Sequence, residues 1–189
     1  CLPVTKLPRV HTIGNVADMI LDGETVLLLE GQTAGLTLNT RFWDGRTIEQ
    51  PIAESLVRGP NEGVCECLTR NHILLRQRFK TPRFKSERLI VGRLTRTWVK
   101  VFYLEGVARP ETVAEVKERL AQIDIDAIID TGYIEELIED APLSPFPQIE
   151  HTERPDKVAG GLLEGRIAIM ADKSPYALLV PVTFWHWLN

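Results

Sequence analysis

The segment 59–79, GPNEGVCECLTRNHILLRQRF, gathers residue types that could perform chemistry, because Cys65 and Cys67 stand one residue apart and His72 follows them. Thiolates and imidazoles in such proximity could bind zinc or support redox exchange. The apolar residues of the segment recur near the helical period, which predicts a helix with Asn61 as its N-cap. On that helix the two cysteines would lie about 200° apart and could not bind one ion. We therefore expect structural cysteines and no metal site.

No other catalytic pattern in the sequence is complete. The glycines form neither a phosphate-binding loop nor a dinucleotide fingerprint. The serines lack the setting of a nucleophile elbow, and the four histidines lie in unrelated contexts. Asp124 and Asp126 alternate before a predicted helix, where capping or solvated carboxylates are the ordinary interpretation. We therefore expect a protein without enzymatic activity and without a cofactor.

The net charge of -4 argues against a dedicated nucleic-acid-binding protein. The charge is unevenly distributed, since residues 58–100 are rich in Lys and Arg and residues 105–140 are rich in Asp and Glu. The basic segment could bind an anionic membrane surface, or the acidic segment could neutralise it within the fold. Its densest part contains Arg70, Arg76, Arg78, Lys80, Arg83 and Lys85.

The cysteines and the ends of the chain suggest its setting. Cys1, Cys65 and Cys67 are odd in number and do not form the framework of a small secreted protein, which favours a reducing compartment. No apolar run approaches the roughly 20 residues of a membrane span, and the N-terminus lacks the apolar core of a signal peptide. Because the chain does not begin with Met, we expect a piece of a longer protein.

An internal repeat organises the chain. Residues 16–38 align without a gap with residues 158–180, at a constant offset of 142 (158 minus 16). Each copy has the pattern of a helix that ends at a glycine, Gly23 or Gly165, followed by an apolar strand, a tight turn and a second strand. The match indicates a duplication.

The residues before the second copy predict further elements. The β-branched and aromatic residues of 87–91 and 97–104 predict two strands. A helix is expected from Pro110 and another at 133–139. Thr152 is the expected N-cap of the helix that ends at Gly165, with Pro155 in its first turn.

These elements predict an α/β fold with two related α/β subdomains and mixed sheets. We place the remainder of the first subdomain and a linker at residues 1–57, and the second subdomain at residues 58–189. Since only fifteen residues precede Val16, we expect the first subdomain to be incomplete in this chain.

Several long, ordered stretches carry a resemblance to a known family: RGPNEG, YIEELIED, SPFPQ, TERPDKVA and LLEGR. Over roughly residues 18–181 the chain resembles the N-terminal soluble domain of the A subunit of GerA-type spore germinant receptors. A related germination protein, encoded with the spore calcium-dipicolinate channel proteins, shares the same domain plan. The CEC motif departs from the family, which commonly has aromatic and acidic residues there.

The resemblance implies a membrane complex of A, B and C subunits in the spore inner membrane that responds to nutrients and starts germination. We expect a non-enzymatic sensing and coupling domain that contacts the B and C subunits and its own membrane domain, on the cytosolic, spore-core side. The alternative is a module that binds an amino acid or a sugar, as the similarity of this domain to solute-binding proteins implies. Neither function requires nucleic acid.

Two sets of residues are the candidate sites. If a nutrient binds, acids at strand ends could line the cleft, although such acids are commonly solvated; they are Glu105, Asp124, Asp130 and Asp172. Arg58 could pair with an acid and fix the junction of the subdomains, while capping and surface charge are the simpler roles of such residues. The structural or interface candidates are Arg58, Glu62, Arg76, Arg78, Arg154 and Asp156.

Overall fold

The computed structural model describes residues 9–38, 62–139 and 149–182 of the protein. These residues fall into two compact units. The smaller unit contains residues 9–38 together with Phe79–Pro82, and the larger unit contains residues 62–78, 83–139 and 149–182. The predicted boundary between residues 57 and 58 lies outside the described residues and stays a prediction.

The smaller unit is a three-stranded antiparallel sheet with one helix. The Thr12 hydroxyl caps the helix by accepting a hydrogen bond from the Asn15 backbone N–H at 3.2 Å. The strand order is β1-β3-β2. The elements are β1 (Arg9–Val10), α1 (Ile13–Leu21), β2 (Thr25–Leu27) and β3 (Gly35–Leu38).

The larger unit is a five-stranded antiparallel sheet of order β4-β5-β7-β8-β6 with four helices. Its elements are α2 (Leu68–Arg78), β4 (Phe84–Val91), β5 (Thr97–Leu104), α3 (Pro110–Gln122), α4 (Thr131–Ile138), β6 (Glu150–Thr152), α5 (Pro155–Leu163), β7 (Ile167–Ala171) and β8 (Ala177–Val180).

Helices cover both faces of the five-stranded sheet. Val101 of β5 packs in one core with the apolar residues of α3 and α4. The next residue, Phe102, points to the opposite face, where its ring lies 5.6 Å from that of His72 of α2. Because both faces are covered, every residue of the central strand β7 is buried. The continuous apolar run at 167–171 is therefore a fully buried strand, as the sequence predicts.

The structure confirms the repeat and extends it by one strand. The order β1, α1, β2, β3 recurs as β6, α5, β7, β8, and both sheets place the equivalent strands in the same order. The register is also preserved at the offset of 142, because Leu27 pairs with Leu36 as Ile169 pairs with Leu178. The α/β fold class with two related subdomains is thus confirmed. The sheets differ in detail from the expectation, since all six strand pairings in the described residues are antiparallel and neither sheet is mixed.

The predicted glycine stops are confirmed. Gly23 and Gly165 follow α1 and α5 with φ of 85° and 87°, a left-handed conformation that glycine adopts without steric cost. Pro155 opens α5 as predicted. The predicted N-cap Thr152 is wrong, because Arg154 occupies that position. Thr152 instead lies in β6, where its hydroxyl accepts a hydrogen bond from the Arg154 N–H at 3.1 Å.

The predicted start of the CEC helix is also wrong. Helix α2 begins at Leu68, so Cys65 and Cys67 precede it, and the predicted N-cap Asn61 lies outside the described residues. Two side chains explain the later start, and one of them is Asp172, whose carboxylate accepts a hydrogen bond from the Leu68 N–H at 3.3 Å. The Asn71 amide accepts from the Cys65 N–H at 2.9 Å and donates to its carbonyl at 2.6 Å, which holds this segment away from helical geometry.

Candidate functional site

The candidate site lies at one end of the five-stranded sheet, where all five strands begin or end. Pairing of Val99 with Ala171 brings the start of β5 beside the end of β7. Pairing of Thr152 with Ala177 brings the end of β6 beside the start of β8. Two cavities open at this end of the sheet, and consecutive residues of the segment before α4 line both.

The first cavity, here called the α4 pocket, has a volume of about 410 Å³. The Asp130 carboxylate stands at its edge and caps α4 by accepting a hydrogen bond from the Gly132 N–H at 2.8 Å. The lining residues are Asp130, Thr131, Gly132, Glu135, His151, Thr152, Glu153, Tyr176 and Leu178.

Acidic groups set the electrostatics of the α4 pocket. Glu135 Oε2 lies 3.7 Å from His151 Nδ1. Burial raises the pKa of Glu135, and the neighbouring His151 opposes that effect. A hydrogen bond to Glu153 raises the pKa of Tyr176, whose ring meets the His151 ring edge-on at 6.5 Å. This arrangement of carboxylates beside aromatic rings can accept hydrogen bonds from an ammonium or hydroxyl group.

The second cavity, here called the β5–β7 pocket, has a volume of about 370 Å³. The Asp172 carboxylate is already engaged, because it accepts a hydrogen bond from the Leu68 N–H at 3.3 Å and so satisfies the start of α2. The lining residues are Thr95, Arg96, Thr97, Trp98, Ile128, Ile129, Asp172 and Lys173.

A buried hydroxyl pair holds the segment between the two pockets. The hydroxyl oxygens of Thr131 and Ser174 lie 3.0 Å apart, and both residues are buried. Ser174 also accepts a hydrogen bond from the Thr131 N–H at 3.4 Å. The start of α4 is thereby fixed to the β7–β8 turn.

The acids predicted to line a cleft divide into two groups. Asp130 lines the α4 pocket and Asp172 lines the β5–β7 pocket. Glu105 and Asp124 line neither of them. Glu105 lies 3.3 Å from the Lys85 ammonium, and Asp124 lies 3.5 Å from the Arg93 guanidinium.

The interface candidates form local contacts in the larger unit, except Arg58, which lies outside the described residues. Arg78 pairs with Glu62 at 2.8 Å. Arg154 and Asp156 pair through two hydrogen bonds, which lowers the pKa of the Asp156 carboxyl. Arg76 donates to the Phe84 carbonyl at 3.4 Å, and its guanidinium lies 5.8 Å from the centre of the Phe84 ring.

The basic segment is neutralised in part within the fold. Lys80 pairs with Asp22 at 2.8 Å, and Lys85 pairs with Glu105 in addition to the Arg78–Glu62 pair. Arg70 and Arg83 interact with neighbouring groups as well. Of these pairs, Lys85–Glu105 is the one that joins the basic segment to the acidic segment 105–140, and binding of the remaining charges to an anionic membrane surface stays a prediction.

The structure brings together a serine and a histidine that sequence reasoning missed. His72 Nε2 lies 3.4 Å from Ser86 Oγ, and His72 Nδ1 lies 3.0 Å from the Lys100 ammonium. Burial, assisted by the positive charges of Lys100 and Arg76, lowers the pKa of His72 to about 4. Because an ammonium only donates, Nδ1 is the acceptor and Nε2 carries the proton. Nε2 therefore cannot take the Ser86 proton, and this contact is not a nucleophile–base pair.

Within residues 9–38, 62–139 and 149–182, no three His, Cys, Asp or Glu side chains are grouped so that they could hold a metal ion. In the same ranges no helix combines the length and the apolar character needed to cross a bilayer.

Comparison with known proteins gives one consistent result. The family model of the Bacillus/Clostridium GerA spore germination protein matches residues 1–189. The uncharacterized membrane protein YfkQ of Bacillus subtilis is 44% identical over 188 residues, which are 100% of this chain and 37% of that protein. Spore germination protein GerLA of Bacillus cereus is 36% identical over 97% of this chain and 37% of its own length. The chain thus spans well under half of these relatives.

A solved structure is also similar. It is the N-terminal domain of the A subunit of the Bacillus megaterium spore germinant receptor GerK3, with 35% sequence identity and a TM-score of 0.69. The similarity covers 95% of this chain and 64% of that one.

Proposed function

We propose, from the fact that this chain belongs to the GerA family of spore germination proteins, that it is a non-enzymatic sensing and coupling domain of a membrane-bound nutrient receptor. In this role the domain passes a nutrient signal to a membrane-embedded part of the full-length protein. The observation that carries the proposal is the similarity, over 95% of this chain, to the N-terminal domain of a germinant receptor A subunit.

The contacts of the polar side chains support a non-enzymatic role. Among the described residues, the His72–Ser86 contact has the wrong proton arrangement for general-base catalysis. Asp172, which could otherwise act in the β5–β7 pocket, stabilises the start of α2. The side chains at this end of the sheet can therefore bind a ligand through ionic contacts and hydrogen bonds.

The partners and the location follow from the same relatives. The GerK3 domain belongs to an A subunit, and YfkQ is named a membrane protein, so we propose B and C subunits and the protein's own membrane domain as partners. The free cysteines Cys65 and Cys67 support the reducing, spore-core side of the inner membrane. The Arg154–Asp156 pair, which is partly exposed, is our candidate contact with a partner.

A test of this proposal is recovery of the full-length protein from spore membranes through an affinity tag. We expect the B and C subunits to be recovered with the wild-type protein, and Arg154→Ala to lower their yield. Lys85→Gln, which breaks another partly exposed ion pair, is the matched control and should leave the yield unchanged. Recovery of the full-length protein without other subunits would contradict the proposal.

The α4 pocket favours a second candidate, a module that binds a small nutrient. Its carboxylates Glu135 and Glu153 suit the ammonium group of an amino acid or the hydroxyls of a sugar. Titration of the isotope-labelled chain with amino acids and sugars at millimolar concentration separates the two candidates. A flat response favours coupling, whereas a saturable shift that Glu135→Gln abolishes favours the binding module.

A further inference from the structure

Two basic residues of the β5–β7 pocket have an unusual backbone conformation. Arg96 and Lys173 have φ of 47° and 68°, and within the described residues they are the two non-glycine residues with positive φ. Both line this pocket, Arg96 from the β4–β5 turn and Lys173 from the β7–β8 turn. Left-handed backbone is rare for residues with long side chains, and its occurrence at two residues of one cavity singles out that cavity.

The repeat supplies an internal comparison for Lys173. The equivalent position of the first copy is Gly31 (31 plus 142), which has a nearly identical φ of 78°. Glycine adopts this conformation without the steric cost that any other residue meets. The second copy therefore holds a lysine where the backbone favours glycine. This indicates that lysine occupies the position because of its ammonium group and not because of the backbone conformation of the turn.

Within the described residues, neither Arg96 nor Lys173 forms an ion pair with an acidic side chain. The acid that lines the same pocket, Asp172, is engaged with the Leu68 N–H. Thr97 donates to the Ile128 carbonyl at 2.8 Å, which fixes the pocket wall. The two positive charges are thus exposed to solvent at the pocket and can donate hydrogen bonds to a ligand.

An exposed apolar surface lies beside the charges. Trp98 and Ile129 line the same pocket, and 45% and 64% of their surfaces are exposed. The guanidinium of Arg88 lies 3.9 Å from the centre of the Trp98 ring and adds a third positive charge at the indole. A ligand in this pocket would therefore meet cations at one end and apolar surface at the other.

We infer that the β5–β7 pocket binds a small organic oxyanion, a carboxylate or a phosphate, whose charged group contacts Arg96 and Lys173. The planar guanidinium can donate two parallel hydrogen bonds to such a group, and the ammonium adds a third donor. The apolar part of the ligand lies against Trp98 and Ile129. The volume of about 370 Å³ is within the range of small-molecule sites. A soluble phosphate ester and a lipid headgroup share this chemistry.

Phenyl phosphate is the test ligand, because it joins an oxyanion to a flat apolar ring. Titration of the 189-residue chain, followed by amide and indole chemical shifts in NMR spectra, should show saturable changes at Arg96, Trp98 and Lys173. Benzyl alcohol and benzylamine carry the same ring without the anion and should bind at least about tenfold more weakly, the loss expected for a charged hydrogen bond. Equal affinity for benzylamine would overturn the inference.

Glycine substitutions remove each cation without disturbing the left-handed backbone. Lys173→Gly and Arg96→Gly should each weaken phenyl phosphate binding about tenfold or more. Lys173→Gly restores the residue of the first repeat, so its NMR spectrum should remain that of a folded chain. Arg93→Gln is the matched control, because it also removes a positive charge from the β4–β5 turn. Arg93 is paired with Asp126 and lies outside the pocket. Unchanged binding by both glycine variants, or equal weakening by the control, overturns the inference.

Vesicles distinguish the two sources of the anion. Sedimentation of the wild-type chain, but not Lys173→Gly, with phosphatidylglycerol vesicles and not with phosphatidylcholine vesicles assigns the anion to a lipid headgroup. Binding of phenyl phosphate without sedimentation assigns it to a water-soluble molecule. Sedimentation that Lys173→Gly leaves unchanged contradicts a role for the pocket.

Discussion

Arg166 and Glu150 form a buried ion pair in the larger unit: Nη1 lies 2.6 Å from Oε2, and the two side chains are 7% and 8% exposed. Arg166 also donates to the carbonyls of Leu179 at 3.2 Å and Pro181 at 2.9 Å. These contacts connect β6, at the edge of the sheet, with the start of the central strand β7 and the end of β8. Removing either partner would leave the other charge buried without its ionic partner in this pair.

We therefore expect Arg166→Met to lower the free energy of unfolding by about 3–5 kcal/mol. Urea unfolding of the 189-residue chain measures the change. The control Arg93→Gln breaks an exposed ion pair and should cost less than about 1 kcal/mol. A loss of less than about 1 kcal/mol for Arg166→Met would show that the pair is not needed. The double variant Arg166→Met with Glu150→Leu should recover much of the stability, because no charge is then left buried.

Gly160 within α5 and Gly165 after it should respond in opposite directions to alanine. Gly165 has φ of 87°, and a Cβ there would lie 2.8 Å from the Val107 carbonyl oxygen, so Gly165→Ala should cost at least about 1–2 kcal/mol. Gly160 lies within the helix with open space around it, so Gly160→Ala should stabilise the fold by about 0.5–1 kcal/mol. Thermal unfolding compares the pair, and a stable Gly165→Ala would mean that the predicted clash is absent.

The equivalent positions Gly31 and Lys173 predict a reciprocal effect on stability. Lys173→Gly should raise the free energy of unfolding by up to about 1 kcal/mol, because it relieves a left-handed conformation that disfavours side chains. Gly31→Ala should lower it by about 1 kcal/mol for the same reason. Calorimetry of both variants tests the expectation. Two changes of the same sign would refute the equivalence of the positions.

The low pKa of His72 predicts a dependence of stability on pH. In the folded chain this pKa is about 4, below the ordinary value of 6.5, so the unfolded chain binds the proton more readily. The contribution of the neutral His72 to the free energy of unfolding is therefore complete above pH 6.5 and is lost as the pH falls towards 4. The free energy of unfolding, measured across this pH range, should depend less steeply on pH in His72→Gln than in the wild-type chain. An NMR titration of the imidazole with a midpoint near 6.5 would contradict the prediction.

The sequence predicts the repeat and its elements well, because the controlling signals are local. The glycine stops, the continuous apolar strand at 167–171 and the opening Pro155 each follow from a few neighbouring residues. The start of α2 could not be predicted in this way. It depends on Asp172, which accepts from Leu68 across 104 positions of the chain.

The candidate site is harder to predict for the same physical reason. Each pocket is built from turns that the antiparallel register brings together, and no single motif contains them. The left-handed conformation of Lys173 also leaves no mark in the local sequence, since lysine rarely adopts it. One signal was available: the repeat aligns Lys173 with Gly31, and glycine at a turn commonly marks positive φ.

The most direct test of the proposed function exchanges this 189-residue segment, within the full-length protein, for the matching part of the GerK3 A-subunit domain and measures which nutrients germinate the spores. A coupling domain predicts that the chimera responds to the same nutrients as the parent, with at most a changed rate. A nutrient preference that moves with the exchanged domain would contradict the coupling role and would favour the second candidate, a module that itself binds the nutrient.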